Sequence, residues 1–128
     1  VDKTLSEVRV TDYDALVLPG GQINPDTLRA DPKVVSFVRE FFNSKKPLAA
    51  ICHAPWLLIE ADVVRGRDIT SYNSIKTDVK NAGGNWLDQE VVVHEALITS
   101  RNPGDIPAFV AKIIEEVEEG RHEDRKVA

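Results

Sequence analysis

The residues best suited to chemistry sit together near the middle of the chain. Cys52 and His53 directly follow the apolar run Pro47-Leu48-Ala49-Ala50-Ile51 and precede Ala54-Pro55, where a helical pattern through Trp56, Leu57, Leu58 and Ile59 begins. A cysteine at the junction of a strand and a helix can be displayed on a sharp turn that lifts a nucleophile above a sheet. Unpaired N–H groups and the positive dipole end of the following helix favour a thiolate there. Adjacent side chains on a turn usually point apart, so adjacency alone does not make a catalytic pair. The His53 ring is a candidate proton carrier and its backbone N–H a candidate oxyanion donor. The alternatives are a buried structural cysteine and a histidine facing solvent. A second candidate is Pro19-Gly20-Gly21. Glycines permit close backbone approach and an N–H turned toward the same pocket, although such a tripeptide is also an ordinary turn.

The surrounding pattern supplies elements to position both loops. Asp14–Leu18 is a short apolar run stopped by Pro19, as a buried parallel strand ends. From Asp31 to Asn43 the apolar positions Val34, Val35, Phe37, Val38, Phe41 and Phe42 recur at helical spacing, with Asp31-Pro32 as N-cap and first helical position. Pro47–Cys52 is a second buried strand. Asp68–Tyr72 reads as another short strand and Ile75–Ala82 as a helix closed by Gly83-Gly84. Val91–Val93 and Ala96–Thr99 flank His94-Glu95 as a hairpin that lacks the favoured turn glycine. A last helix runs from about Pro103 to Glu119, and 121–128 reads as a polar tail that frays. Strands alternating with helices predict an α/β fold with a parallel sheet, whose ligand sites lie beyond the carboxyl ends of the strands. Both candidate loops lie there.

Composition narrows the functions. The 128 residues suffice for one domain with a core. A formal charge of -5 argues against a general nucleic-acid binder, so no specific nucleic-acid site is expected. Apolar runs such as Leu48–Cys52 are far below the roughly 18 residues that suggest a membrane span. The one cysteine excludes an intramolecular disulfide, and the start carries no signal-peptide pattern, so a cytoplasmic location is expected. The three histidines, His53, His94 and His122, show no metal-ligand spacing, so neither metal nor cofactor is expected. Arg101 is open to pairing with an acidic group near the site or to being a surface charge, and the second is expected.

Several co-linear segments carry a resemblance. Ala15–Gly21, Ala49–Pro55, Thr70-Ser71-Tyr72 with Ile75–Asp78, Asn81–Gly84, Glu90–Val93 and Thr99–Pro103 together resemble the PfpI family of intracellular cysteine peptidases and protein deglycases, within the class I glutamine amidotransferase-like superfamily. The resemblance covers nearly the whole chain. It implies a flavodoxin-like parallel sheet sandwiched by helices, with residues 1–128 forming the C-terminal two-thirds of the family domain. It implies Cys52 as elbow nucleophile, His53 as the adjacent histidine, and the N–H groups of Gly21 and His53 as the oxyanion site. Asp26 matches an acidic residue that reaches the histidine of a neighbouring subunit; read alone, it is an acidic cap on a helical turn through Leu28. Gly20, Trp56 and Tyr72 are candidate pocket walls, the two aromatics equally readable as core packing.

The family's N-terminal strands, and a glutamate bonded to the nucleophilic sulfur, have no match here; Glu7 precedes the wrong strand. The chain is therefore expected to be a fragment, with an uncovered strand edge along Ala15–Leu18 and a pocket at Cys52 open on one side. The expected activity is that of a cysteine-dependent, stress-protective hydrolase acting on small electrophilic carbonyls or on glyoxal-derived adducts of proteins and peptides. An intracellular peptidase and a non-enzymatic redox-sensing or chaperone-like protein are the alternatives. The expected partner is a second copy of the chain, in a dimer or hexamer.

Overall fold

The apolar runs become the centre of a four-stranded sheet in the order β1-β2-β6-β5. The computed structural model describes residues 2–120, 125 and 127. Strand β1 (Leu16–Leu18) lies parallel to β2 (Leu48–Ile51), with Val17 opposite Ala49. β2 is in turn parallel to β6 (Leu97–Ser100), and β5 (Val92–His94) pairs antiparallel with β6. All residues of β2 and β6 are buried, which is why both read as unbroken apolar or small runs. Among the described residues β1 has no ladder partner on its outer side.

Period-two alternation along β2 sends its side chains to two cores. Leu48 and Ala50 pack with Phe42, Leu57 and Leu58 on one face, whereas Ala49 and Ile51 pack with Ile98 and Phe109 on the other. The first core is covered by α2 (Pro32–Asn43) and α3 (Pro55–Glu60), the second by α5 (Ile106–Glu119). Helix α2 starts as its sequence predicts: the Asp31 carboxylate accepts from the N–H of Lys33, and Pro32 occupies the first turn.

Several expectations change. Of the expected strand Asp68–Tyr72 only β3 (Asp68–Ile69) forms, and it pairs in a separate two-stranded sheet with β4 (Asn85–Trp86), which the sequence pattern did not reveal. Residues 70–72 leave the strand because Thr70 N–H donates to Thr99 Oγ1 and Tyr72 N–H to the Cys52 carbonyl. The helix expected from Ile75 is α4 (Lys76–Asn81), entered through a 3-10 turn at Asn73–Ile75. The last helix likewise begins after a 3-10 turn at Pro103–Asp105. Helix α1 (Ile23–Arg29) extends what was only a turn around Leu28, and Asp26 lies inside it with Gln22 at the N-cap. The hairpin forms without glycine because Glu95 and Ala96 both take positive φ, 53° and 64°, the backbone a two-residue type I′ turn requires.

Of the expected polar tail 121–128, residues 125 and 127 are described and the others lie outside the described residues. Arg125 is 2% exposed, and its guanidinium lies over the Phe42 ring and donates to the carbonyls of Phe42, Lys46 and Glu95. His122 lies outside the described residues. No helix among the described residues is long and apolar enough to cross a membrane.

Candidate active site

β2 ends at Ile51, and the chain then turns so sharply that Cys52 adopts a φ of 66°. A side chain with a Cβ occupies this left-handed region at a cost of about 1 kcal/mol or more, so surrounding bonds must hold it. They do. Cys52 N–H donates to the Ser100 carbonyl at 3.0 Å, its carbonyl accepts from Tyr72 N–H at 2.8 Å, and Ala54 N–H closes the turn onto Ile51 at 3.1 Å. The sulfur is therefore presented at the carboxyl end of the sheet, half-buried rather than sealed in the core.

Gly20 explains part of that display. A Cβ at this position would lie 2.8 Å from Cys52 Cβ and 3.1 Å from the Ile51 carbonyl oxygen, so only glycine fits beside the elbow. Gly21 has a φ of 86° and open space around it. Neither the Gly21 nor the His53 N–H donates to an acceptor among the described residues, which leaves both donors available for a ligand.

His53 turns its Nδ1 to within 3.1 Å of Cys52 Sγ, so the adjacent side chains meet despite the usual divergence on a turn. The ring is held on three sides. Tyr72 stacks on it with centroids 4.8 Å apart, Trp56 tilts against it at 5.0 Å, and Ser74 Oγ lies 3.2 Å from Nε2. Burial pushes the imidazole below its ordinary pKa because the charged form loses solvent. Tyr72 and Trp56 are thus walls of the histidine rather than core residues, and Tyr72 remains 41% exposed.

Asp26 does not join this group within the chain. Its carboxylate accepts from Arg29 Nε at 3.0 Å and from Nη2 at 2.7 Å, and the Arg29 guanidinium lies 4.0 Å over the Trp56 ring. Trp56 Nε1 donates to Asp78 Oδ2 at 3.0 Å. A hollow of about 470 Å³ lined by Arg29, Trp56, Asp78 and Asn81 opens on this outer side, and one of about 390 Å³ lies along β1 and α2; Cys52 lines neither. The concave wall expected beside the sulfur is thus not part of either hollow. Arg101 is not the free surface charge expected: it donates to both carboxylate oxygens of Asp105 and to Asp88, all at 2.9 Å. The described residues contain no group of three His, Cys, Asp or Glu side chains placed to hold a metal ion.

Two residues here escaped the sequence reading. Arg29 had a signal, since Asp and Arg three apart on a helix are neighbours. Ser74 had none, because its approach depends on the bond that ties Tyr72 to the Cys52 carbonyl.

Known proteins are similar to this chain. The chain is 56% identical over 110 residues to protein/nucleic acid deglycase 2 of Escherichia coli, covering 85% of this chain and 63% of that protein. It is 46% identical over 114 residues to deglycase PfpI of Pyrococcus furiosus, covering 89% of this chain and 68% of that one. The chain thus spans about two-thirds of the length of these relatives. A crystal structure of a two-domain protein from Anabaena variabilis, containing DJ-1/ThiJ/PfpI-like and ferritin-like domains, superposes with a TM-score of 0.86 at 41% identity, over 89% of this chain and 34% of that one. The profile of the DJ-1/PfpI family matches residues 1–116, and the chain belongs to that family.

Proposed function

We propose that the chain carries the reacting centre of a cysteine-dependent hydrolase that removes glyoxal-derived adducts from protein amines and thiols. The observation that supports this most is the Cys52 elbow, with its sulfur 3.1 Å from His53 Nδ1 and two unengaged N–H donors nearby. In this reading the Cys52 proton passes through Nδ1 to the amine or thiol as that group leaves the carbinol carbon of the adduct, and Sγ bonds to the same carbon in its place. His53 then moves the proton of this carbon to the neighbouring carbonyl carbon, and the charge that develops meanwhile on the carbonyl oxygen is held by the N–H groups of Gly21 and His53. The shift turns the hemithioacetal on Sγ into a thioester, which water hydrolyses to a 2-hydroxy acid and the free thiol. Because burial pushes the imidazole below its ordinary pKa, the neutral base persists to lower pH than in an exposed histidine, and activity is lost on the acid side as the ring takes up its proton. Gly20, Trp56 and Tyr72 shape the surroundings. Asp26, engaged by Arg29 in the chain, joins the site only from a neighbouring copy in a homo-oligomer; light scattering tests that assembly, and a monomer removes Asp26 from the site.

The names of the deglycase relatives support this chemistry, and a relative named as a putative cysteine protease supports peptide hydrolysis as the second reading. The test is loss of methylglyoxal adducts from N-acetylcysteine and N-acetyllysine beside cleavage of a fluorogenic peptide. Adduct removal that disappears in Cys52→Ala is expected. Peptide cleavage with untouched adducts would overturn the reading, as would unchanged adduct removal in the variant.

A further inference from the structure

We infer that Ser74 is a positioning residue for His53, accepting a hydrogen bond from its Nε2 and so holding Nδ1 toward the Cys52 sulfur. The inference rests on the reading of Cys52 and His53 as the reacting pair. Its geometric basis is a three-residue line: Sγ to Nδ1 at 3.1 Å, then Nε2 to Ser74 Oγ at 3.2 Å. When the thiol keeps its proton, Nδ1 accepts it as a hydrogen bond and Nε2 carries the ring hydrogen, which Ser74 accepts. When the proton has moved to Nδ1, both ring nitrogens donate, and Ser74 again accepts. One acceptor therefore serves both states without moving.

The position of Ser74 is set by the backbone. Tyr72 N–H is tied to the Cys52 carbonyl at 2.8 Å, and the 3-10 turn Asn73–Ile75 then carries Ser74 over the imidazole edge. Ile75, the next residue, is 2% exposed and anchors the turn in the core, while Ser74 itself is on the surface. The charged groups on the elements around the ring have other partners: Asp78 bonds Trp56, Asp26 and Arg29 bond each other, and Lys76 lies over the Trp86 ring. Tyr72 contributes its ring face to His53. Among the described residues Ser74 is thus the polar partner of Nε2.

The test is the pH profile of Cys52 alkylation by iodoacetamide, which needs no knowledge of the substrate. Ser74→Ala is expected to slow alkylation about fivefold at neutral pH, the worth of one partly exposed hydrogen bond. At alkaline pH, where the thiol is ionised without help from His53, the two rates converge. Ser74→Thr, which keeps the hydroxyl, restores the neutral rate to within about twofold. The inference is overturned if the Ser74→Ala profile superimposes on the parent's, if the slowing persists at alkaline pH, or if Ser74→Thr is as slow as Ser74→Ala. A shifted profile in a chain without adduct turnover leaves the inference standing and removes the proposed substrate.

Discussion

The two edges of the sheet are finished in opposite ways. At β5 the strand is tied into a hairpin, Asp68 N–H donates to His94 Nδ1, and just beyond β6 Arg101 clamps Asp105 and Asp88. At β1 the outer backbone has no strand beside it among the described residues, Val17 is 44% exposed, and Leu16 and Leu18 line an open apolar hollow with Phe37 and Val38. Unpaired edges of this kind invite a further strand. Cys52 hangs from β2, between these two regions. Its Ser71–Ser74 wall belongs to the firmly packed side, and its Gly20-Gly21 wall to the loosely covered one. The Cys52–His53 pair therefore depends on bonds to Ser100 and Tyr72 for its geometry, while the Gly21 N–H, the proposed oxyanion donor, follows an edge strand.

Substitutions on the two sides measure that difference. Leu97→Ala, at a fully buried β6 position, should cost about 3 kcal/mol and lower the urea midpoint accordingly. Gly20→Ala should cost about 2 kcal/mol, because the new Cβ must displace the Cys52 elbow, and should slow alkylation of the thiol as well. Asp105→Asn should cost about 1.5 kcal/mol at neutral pH. The Arg101 guanidinium holds the Asp105 carboxyl below its ordinary value, so this stabilisation is complete above about pH 4 and drains away as pH falls through the folded-state value. Urea unfolding of parent and variant should therefore converge on acidification. Val17→Ala, at the open edge, should cost at most about 0.5 kcal/mol. Equal losses at Leu97 and Val17 would show that the β1 edge is as well packed as the centre.

The sequence made the centre of this fold legible and the margins less so. Leu48–Ile51 and Leu97–Ser100 announce themselves because a strand buried on both faces needs continuous apolar or small residues. The elbow was legible because Cys52 follows such a strand and precedes a proline that starts a helix. Asn85-Trp86 carries no strand periodicity over two residues and forms β4 only because Asp68–Ile69 lies alongside. Arg125 is a single residue in a polar stretch, and nothing local marks it as the side chain that fills the space beside Phe42. The family resemblance implies a role for Asp26 toward a neighbouring copy, whereas its engagement by Arg29 is a helical i,i+3 pair that the spacing already contained. Ser74 needed the tertiary bond at Tyr72 before it meant anything.

The account stands most directly on the reactivity of Cys52. Its alkylation by iodoacetamide at neutral pH, followed by intact mass, can be timed in the native chain and in the same chain unfolded in urea. An elbow thiol served by His53 should react at least about tenfold faster native than unfolded. A native rate equal to or below the unfolded rate would make Cys52 a structural thiol and contradict the account.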